Sequence, residues 1–151
     1  MKKYLIVLVL LASLLSISTG CPQQARRDYS KLNLVEASGT ITLDGQPLEK
    51  AQVFFIDDTT NTYSFALTDQ NGNYKLSLDS RRSGVTPGKK TVAIWTAKGG
   101  IEFGEAFDEE QMAQLKEKIP GKYNTDSELT ATVLAPQEKS HQSFDFSLNS
   151  K

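Results

Sequence analysis

The chain has 151 residues, with 17 Lys and Arg against 18 Asp and Glu, a formal charge of −1. That balance, with no basic stripe, argues against nucleic-acid binding, because neutralising phosphates is what drives such affinity. One cysteine and one histidine exclude an intrachain disulfide and leave little for a histidine- or thiol-based site. The length suits one domain with one modest core.

Residues 1–20 read as an export signal. Lys2 and Lys3 form a charged start, Leu5 to Leu15 an apolar run, and Ser18-Thr19-Gly20 a small-residue end before Cys21. The run is shorter than the roughly 20 residues a spanning helix needs. Loss of the two lysines takes the charge from −1 to −3. Residues 21–34 read as an anchor and a polar tether. About 12 extended residues reach roughly 40 Å. Arg26 and Arg27 either touch anionic headgroups or sit in a solvated linker, and two charges favour the linker.

The domain is expected over residues 35–149. Thr40 to Leu43 alternates polar and apolar, as a half-buried strand does. Asp44-Gly45 suits a tight reversal at positive φ. Ala51 to Ile56 is a nearly unbroken apolar run, predicted to be a strand buried on both faces. In the next strand Tyr63, Phe65 and Leu67 share one face, and Thr62, Ser64, Ala66 and Thr68 the other. Asp69-Gln70-Asn71-Gly72 is a turn signal, after which Tyr74, Leu76 and Leu78 resume the alternation. The turn also resembles the start of an oxygen-ligand calcium loop, but the closing glutamate and further spaced acids are missing.

Residues 79–88 form a loop. Lys89 to Thr96 is the next strand, with Val92 and Ile94 on one face and Ala93 and Trp95 on the other. Trp95, the sole tryptophan, either packs in the sheet or stacks on a sugar ring. Residues 101–107 are ambiguous between strand and loop.

A short helix is predicted from Asp108. Asp108 and Gln111 fit a capping box, and Phe107 and Met112 a hydrophobic staple. The stripe Met112, Leu115, Ile119 supplies the apolar face, and Pro120-Gly121 the stop. Asp108, Glu109 and Glu110 complement the helix dipole, a simpler account than a metal site. Glu128 to Ala135 and Ser143 to Leu148 read as the closing strands, with Phe144, Phe146 and Leu148 inward.

The stretches LDGQPLEKAQVFF and TDQNGNYKLSL, with Pro87 to Ile94, Ile119 to Tyr123 and Phe144 to Leu148, resemble the carboxypeptidase regulatory-like domain. The resemblance covers about residues 37–148. Lys50 stands where that family usually has glycine. It implies an all-β fold, an antiparallel Ig-like or transthyretin-like sandwich of about seven strands, with one short helix inserted late. Cys21 directly after small residues resembles the bacterial lipobox. That resemblance implies a lipidated Cys21, the alternative being a conventional signal with a free thiol. Pro22 in place of aspartate implies the outer membrane rather than the inner.

No catalytic constellation and no metal or cofactor site is legible. There is no Gly-x-Ser-x-Gly, no His-Glu-x-x-His and no phosphate-binding glycine loop. His141 sits in a polar segment read as a solvated turn. The transthyretin-like hydroxyisourate hydrolase needs several histidines that this chain lacks. The expectation is a non-catalytic, membrane-anchored envelope lipoprotein with a protein partner. The alternatives are a carbohydrate-binding module and a small hydrolase with an unrecognised site. Trp95, Phe103 and Tyr123 are the candidate interaction residues, with Tyr63 and Tyr123 joining Trp95 in the glycan alternative. Loops on a rigid scaffold carry function more often than strands, which directs attention to residues 98–127.

Overall fold

Each period-two stretch becomes a strand. The computed structural model describes residues 32–96 and 116–151. Among them the strands are β1 (Glu36–Leu43), β2 (Gln46–Pro47), β3 (Gln52–Asp57), β4 (Thr62–Leu67), β5 (Asn73–Lys75), β6 (Ser77–Asp79), β7 (Arg82–Ser83), β8 (Gly88–Trp95), β9 (Thr130–Val133), β10 (His141–Ser143) and β11 (Phe146–Leu148). They form a five-stranded sheet about β1 and a six-stranded sheet in the order β7-β6-β4-β3-β8-β9. The seven expected strands are all present, with β5–β6 and β10–β11 each an interrupted strand.

The six-stranded sheet is antiparallel throughout. In the other sheet β2 and β5 run antiparallel to β1, while β10 and β11 run parallel to it. Local alternation fixes which face a residue takes, not which way its neighbour runs, so this parallel pairing is a departure from the expected antiparallel order. Thr40 N–H donates to the Asp145 carboxylate over 2.8 Å, across 105 residues of sequence, where β10 gives way to β11.

Two turns follow from their residues. Asp44 and Gly45 take φ of 50° and 81° and return the chain into β2. Gly72, at φ 74°, closes the Asp69 turn, and a Cβ there would lie 2.4 Å from the Ile41 carbonyl oxygen. The Asp69 carboxylate accepts the N–H groups of Asn71 and Asn73, both at 2.8 Å. Its oxygens are used to close the turn. After β5 the chain crosses between sheets at Leu76, fully buried, whose N–H bonds to Ala37 O.

The core lies between the sheets. Ala37 and Ile41 of β1 meet Val53 and Phe55 of β3 and Val92 and Ile94 of β8, closed by Leu148. Phe55 is central, its ring 5.5 Å from Phe144, 6.3 Å from Phe146 and 6.4 Å from Tyr74. Burying such a side chain contributes roughly 1.5–3 kcal/mol.

β4 turns its small residues inward. Ser64, Ala66 and Thr68 are buried, while Tyr63 and Leu67 are exposed. The buried hydroxyls are satisfied: Ser64 donates to Gly84 O at 2.9 Å, and Thr68 donates to Leu48 O at 2.6 Å while accepting from Ala51 N–H. β3 is accordingly buried on its inner face but only partly on its outer one, where Phe54 and Ile56 are half-buried.

Residues 108–115 of the expected helix lie outside the described residues. Residues 116–118 are irregular, so no helix runs on to Ile119. The helical element among the described residues is a 3-10 turn, Gly121–Tyr123. Thr96 and Glu117 are held together: Thr96 N–H lies 3.0 Å from both carboxylate oxygens, its hydroxyl donates to Oε1, and Lys118 N–H donates to Thr96 Oγ at 2.8 Å.

Candidate functional site

The outer face of the six-stranded sheet is aromatic. Three alternating strands make it so: β3 contributes Phe54 and Ile56, β4 Tyr63, Phe65 and Leu67, and β8 Ala93 and Trp95. Their register sets the pattern. Phe54 lies between Phe65 and Ala93, Ile56 beside Tyr63, and Gln52 between Leu67 and Trp95. Phe54 and Tyr63 meet edge to face, centroids 5.7 Å apart at 68°, and Tyr63 and Phe65 are 6.4 Å apart. Such pairs are worth about 0.5–1.5 kcal/mol beyond the area they bury.

A groove of roughly 290 Å³ opens on this face, lined by Phe54, Ile56, Asn61, Tyr63, Ala93 and Trp95. Ala93 is nearly buried between larger neighbours and makes the dip. Tyr63 is 53% exposed. Trp95 is half-buried at the end of β8.

The polar end of the groove is the β3–β4 turn. It is built on Asp57, whose Oδ1 accepts Thr59 N–H at 3.0 Å, Thr60 N–H at 3.2 Å and the Thr59 hydroxyl at 2.5 Å. Its Oδ2 accepts from Lys90 Nζ at 2.6 Å. Lys90 is 1% exposed, and its ammonium also reaches Pro87 O at 3.1 Å. The Lys90 ammonium, then the Thr59 hydroxyl, hold the Asp57 carboxyl far below the usual carboxylate range. This anchored turn places Asn61, a residue of the groove lining, at φ 51°. Asn tolerates that left-handed backbone better than most residues.

Of the expected interaction residues, Trp95 joins this groove and Tyr123 does not. Tyr123 is buried, and its hydroxyl accepts the N–H of Asn149 at 3.2 Å. It anchors the last residues of the chain, so its place among the surface candidates falls away. Phe103, Phe107 and Cys21 lie outside the described residues. His141 opens β10 rather than sitting in a turn, with Nε2 3.3 Å from Ser38 Oγ and Nδ1 3.8 Å from Glu36. Among the described residues no group of three or more His, Cys, Asp or Glu is placed to hold a metal ion.

Phe54, Ile56, Asn61 and Lys90 escaped the sequence reading as site residues. A signal for two of them existed: an unbroken apolar strand beside an alternating one leaves apolar residues on the outer face. Lys90 shares the parity of Val92 and Ile94, which puts it inward.

No protein-family model matches the chain, and no curated protein matches it.

Proposed function

We propose that this chain is a non-catalytic binding module of the bacterial cell envelope, lipid-anchored through Cys21, that makes its contact through the outer face of the six-stranded sheet. The observation that carries the reading is the aromatic groove, with Tyr63 more than half exposed at its edge. Exposed aromatics grouped on one rigid face mark interaction sites far more often than scattered ones do. The described lining offers ring faces, an amide and a phenol, which suits binding better than acid-base or nucleophilic chemistry.

The anchor rests on the pattern ending at Cys21. Two or three acyl chains hold a protein on a membrane essentially permanently, at roughly 0.8 kcal/mol per buried CH₂. The polar segment that follows gives the domain reach, and Pro22 favours the outer membrane. The domain itself is assigned to the carboxypeptidase regulatory-like group. Support comes from the seven strands and from Lys50, whose φ of 57° is the conformation glycine would take there.

A photoreactive residue at position 63 tests the reading in cells. A discrete crosslinked species is expected from position 63 and not from position 75, since Lys75 is exposed on the other sheet. Equal labelling from both positions, or none from 63, removes the outer face as the contact surface.

A further inference from the structure

We infer that the groove between Tyr63 and Trp95 takes the ring of a neutral sugar. The inference rests on the reading that the outer face is the contact surface, and adds the chemistry of what it holds.

Tyr63 and Trp95 stand at diagonally opposite corners, set by their pairing with Ile56 and Gln52. Phe54, Ile56 and Ala93 form an apolar floor between them. A ligand here meets aromatic or aliphatic surface on its broad face. At one end it also meets the Asn61 amide and the Tyr63 hydroxyl. Neither group has a hydrogen-bond partner among the described residues. A pyranose has this form, with C–H groups on its face and hydroxyls around its edge.

Other occupants fit less well. The described lining holds no charged side chain, so a phosphate, a carboxylate or an anionic lipid surface gains no ionic partner. An extended peptide pairing by β-augmentation needs a free sheet edge, and β3 is paired on both sides. A volume of roughly 290 Å³ sits at the lower end of ligand sites, suited to one or two rings.

The turn supplies preorganisation. Lys90 fixes Asp57, and Asp57 fixes Thr59 and Thr60, so Asn61 is presented by a braced backbone. Affinity is then not spent on ordering the loop.

The test uses the full chain in an amine-oxide detergent, which carries no sugar headgroup, on an array of neutral oligosaccharides. Retention of at least one is expected, with saturable change in the fluorescence of Trp95, the sole tryptophan. Tyr63→Ala should weaken binding roughly tenfold or more, as loss of a central aromatic anchor does. Asn61→Ala should weaken it less, and Leu67→Ala, on the same face outside the groove, should leave it unchanged. Failure to retain any neutral oligosaccharide overturns the inference, as does binding indifferent to Tyr63→Ala. If position 63 still crosslinks a discrete component while the array is blank, the sugar is wrong and the contact face stands. If both are blank, both fall.

Discussion

The hydroxyl of Tyr74, on β5, donates to the main-chain oxygen of Phe144 over 2.6 Å, joining β5 to the link between β10 and β11 on the opposite side of β1. Gly39 lies between them. A Cβ at that position would come within 1.9 Å of the same oxygen and 3.0 Å of the Tyr74 ring. The bare backbone of β1 is what lets the two partners meet. Burial, with the Asp145 charge second, pushes the Tyr74 phenol far above its ordinary value of 10.0.

Tyr74→Phe should therefore cost about 1–2 kcal/mol, read by urea unfolding, because the Phe144 oxygen loses its partner in a largely dry site. The pH dependence has a definite sign. The folded pKa is raised, so the stabilisation is full below about pH 10, where the unfolded chain titrates, and declines as pH rises beyond it. The variant should lose less stability than the parent between roughly pH 10 and 11. Equal alkaline losses would show that Tyr74 ionises freely in the fold.

Lys90→Met removes a buried ammonium and leaves Asp57 ionised beside apolar surface. A loss of about 3 kcal/mol is expected, at the lower end for breaking a buried pair, because Thr59 and Thr60 still donate to Asp57. Adding Asp57→Asn should restore part of it, and the cycle should be clearly non-additive. The Asp57 pKa is lowered in the fold, so the pair's contribution holds above pH 4 and fades as the solution is acidified below it. Thermal unfolding from pH 7 down to pH 2 checks the direction.

Lys50 takes φ of 57° with an N–H that donates to Thr68 O at 3.1 Å. A non-glycine residue there costs on the order of 1 kcal/mol. Lys50→Gly relieves it, offset by the extra freedom glycine has when unfolded. A net gain of roughly 0.5 kcal/mol is expected, visible as a small rise in Tm. A fall in Tm would mean the lysine side chain stabilises the turn in a way its backbone does not show.

On the proposed lipid anchoring, Cys21→Ala should move the protein from the membrane to the soluble fraction of the envelope, since it would remove the attachment point for acyl chains. Metabolic labelling with a fatty-acid analogue should fail on the variant and succeed on the parent. Membrane association that survives the substitution would assign the anchoring to another part of the chain.

Strand positions were legible because period-two alternation is a local property, and Asp44-Gly45 announced its turn for the same reason. Orientation was less so. In β4 the alternation separated Tyr63, Phe65 and Leu67 from Ser64, Ala66 and Thr68 without saying which set faces in, and the aromatic residues point outward. The two sheets meet over Ser64 and Thr68, whose hydroxyls bond to Gly84 and Leu48, each 20 residues away. Nothing within β4 announces those partners. Tyr123 read as a loop aromatic because its cover, the chain near Asn149, is distant in sequence. Two of the six lining residues were visible in Tyr63 and Trp95, and the rest needed the register of β3 against both neighbours.

Among the described residues, the first strand, β1, is complete only when the last, β11, is beside it. β1 borders β10 and β11, so a nascent chain that has emerged as far as β9 still lacks the partner for one whole edge of its first sheet. Closing so long a loop comes late in folding. On the export proposed above, such a design would keep the chain loose while it is threaded through a membrane and let it lock once β10 and β11 have crossed.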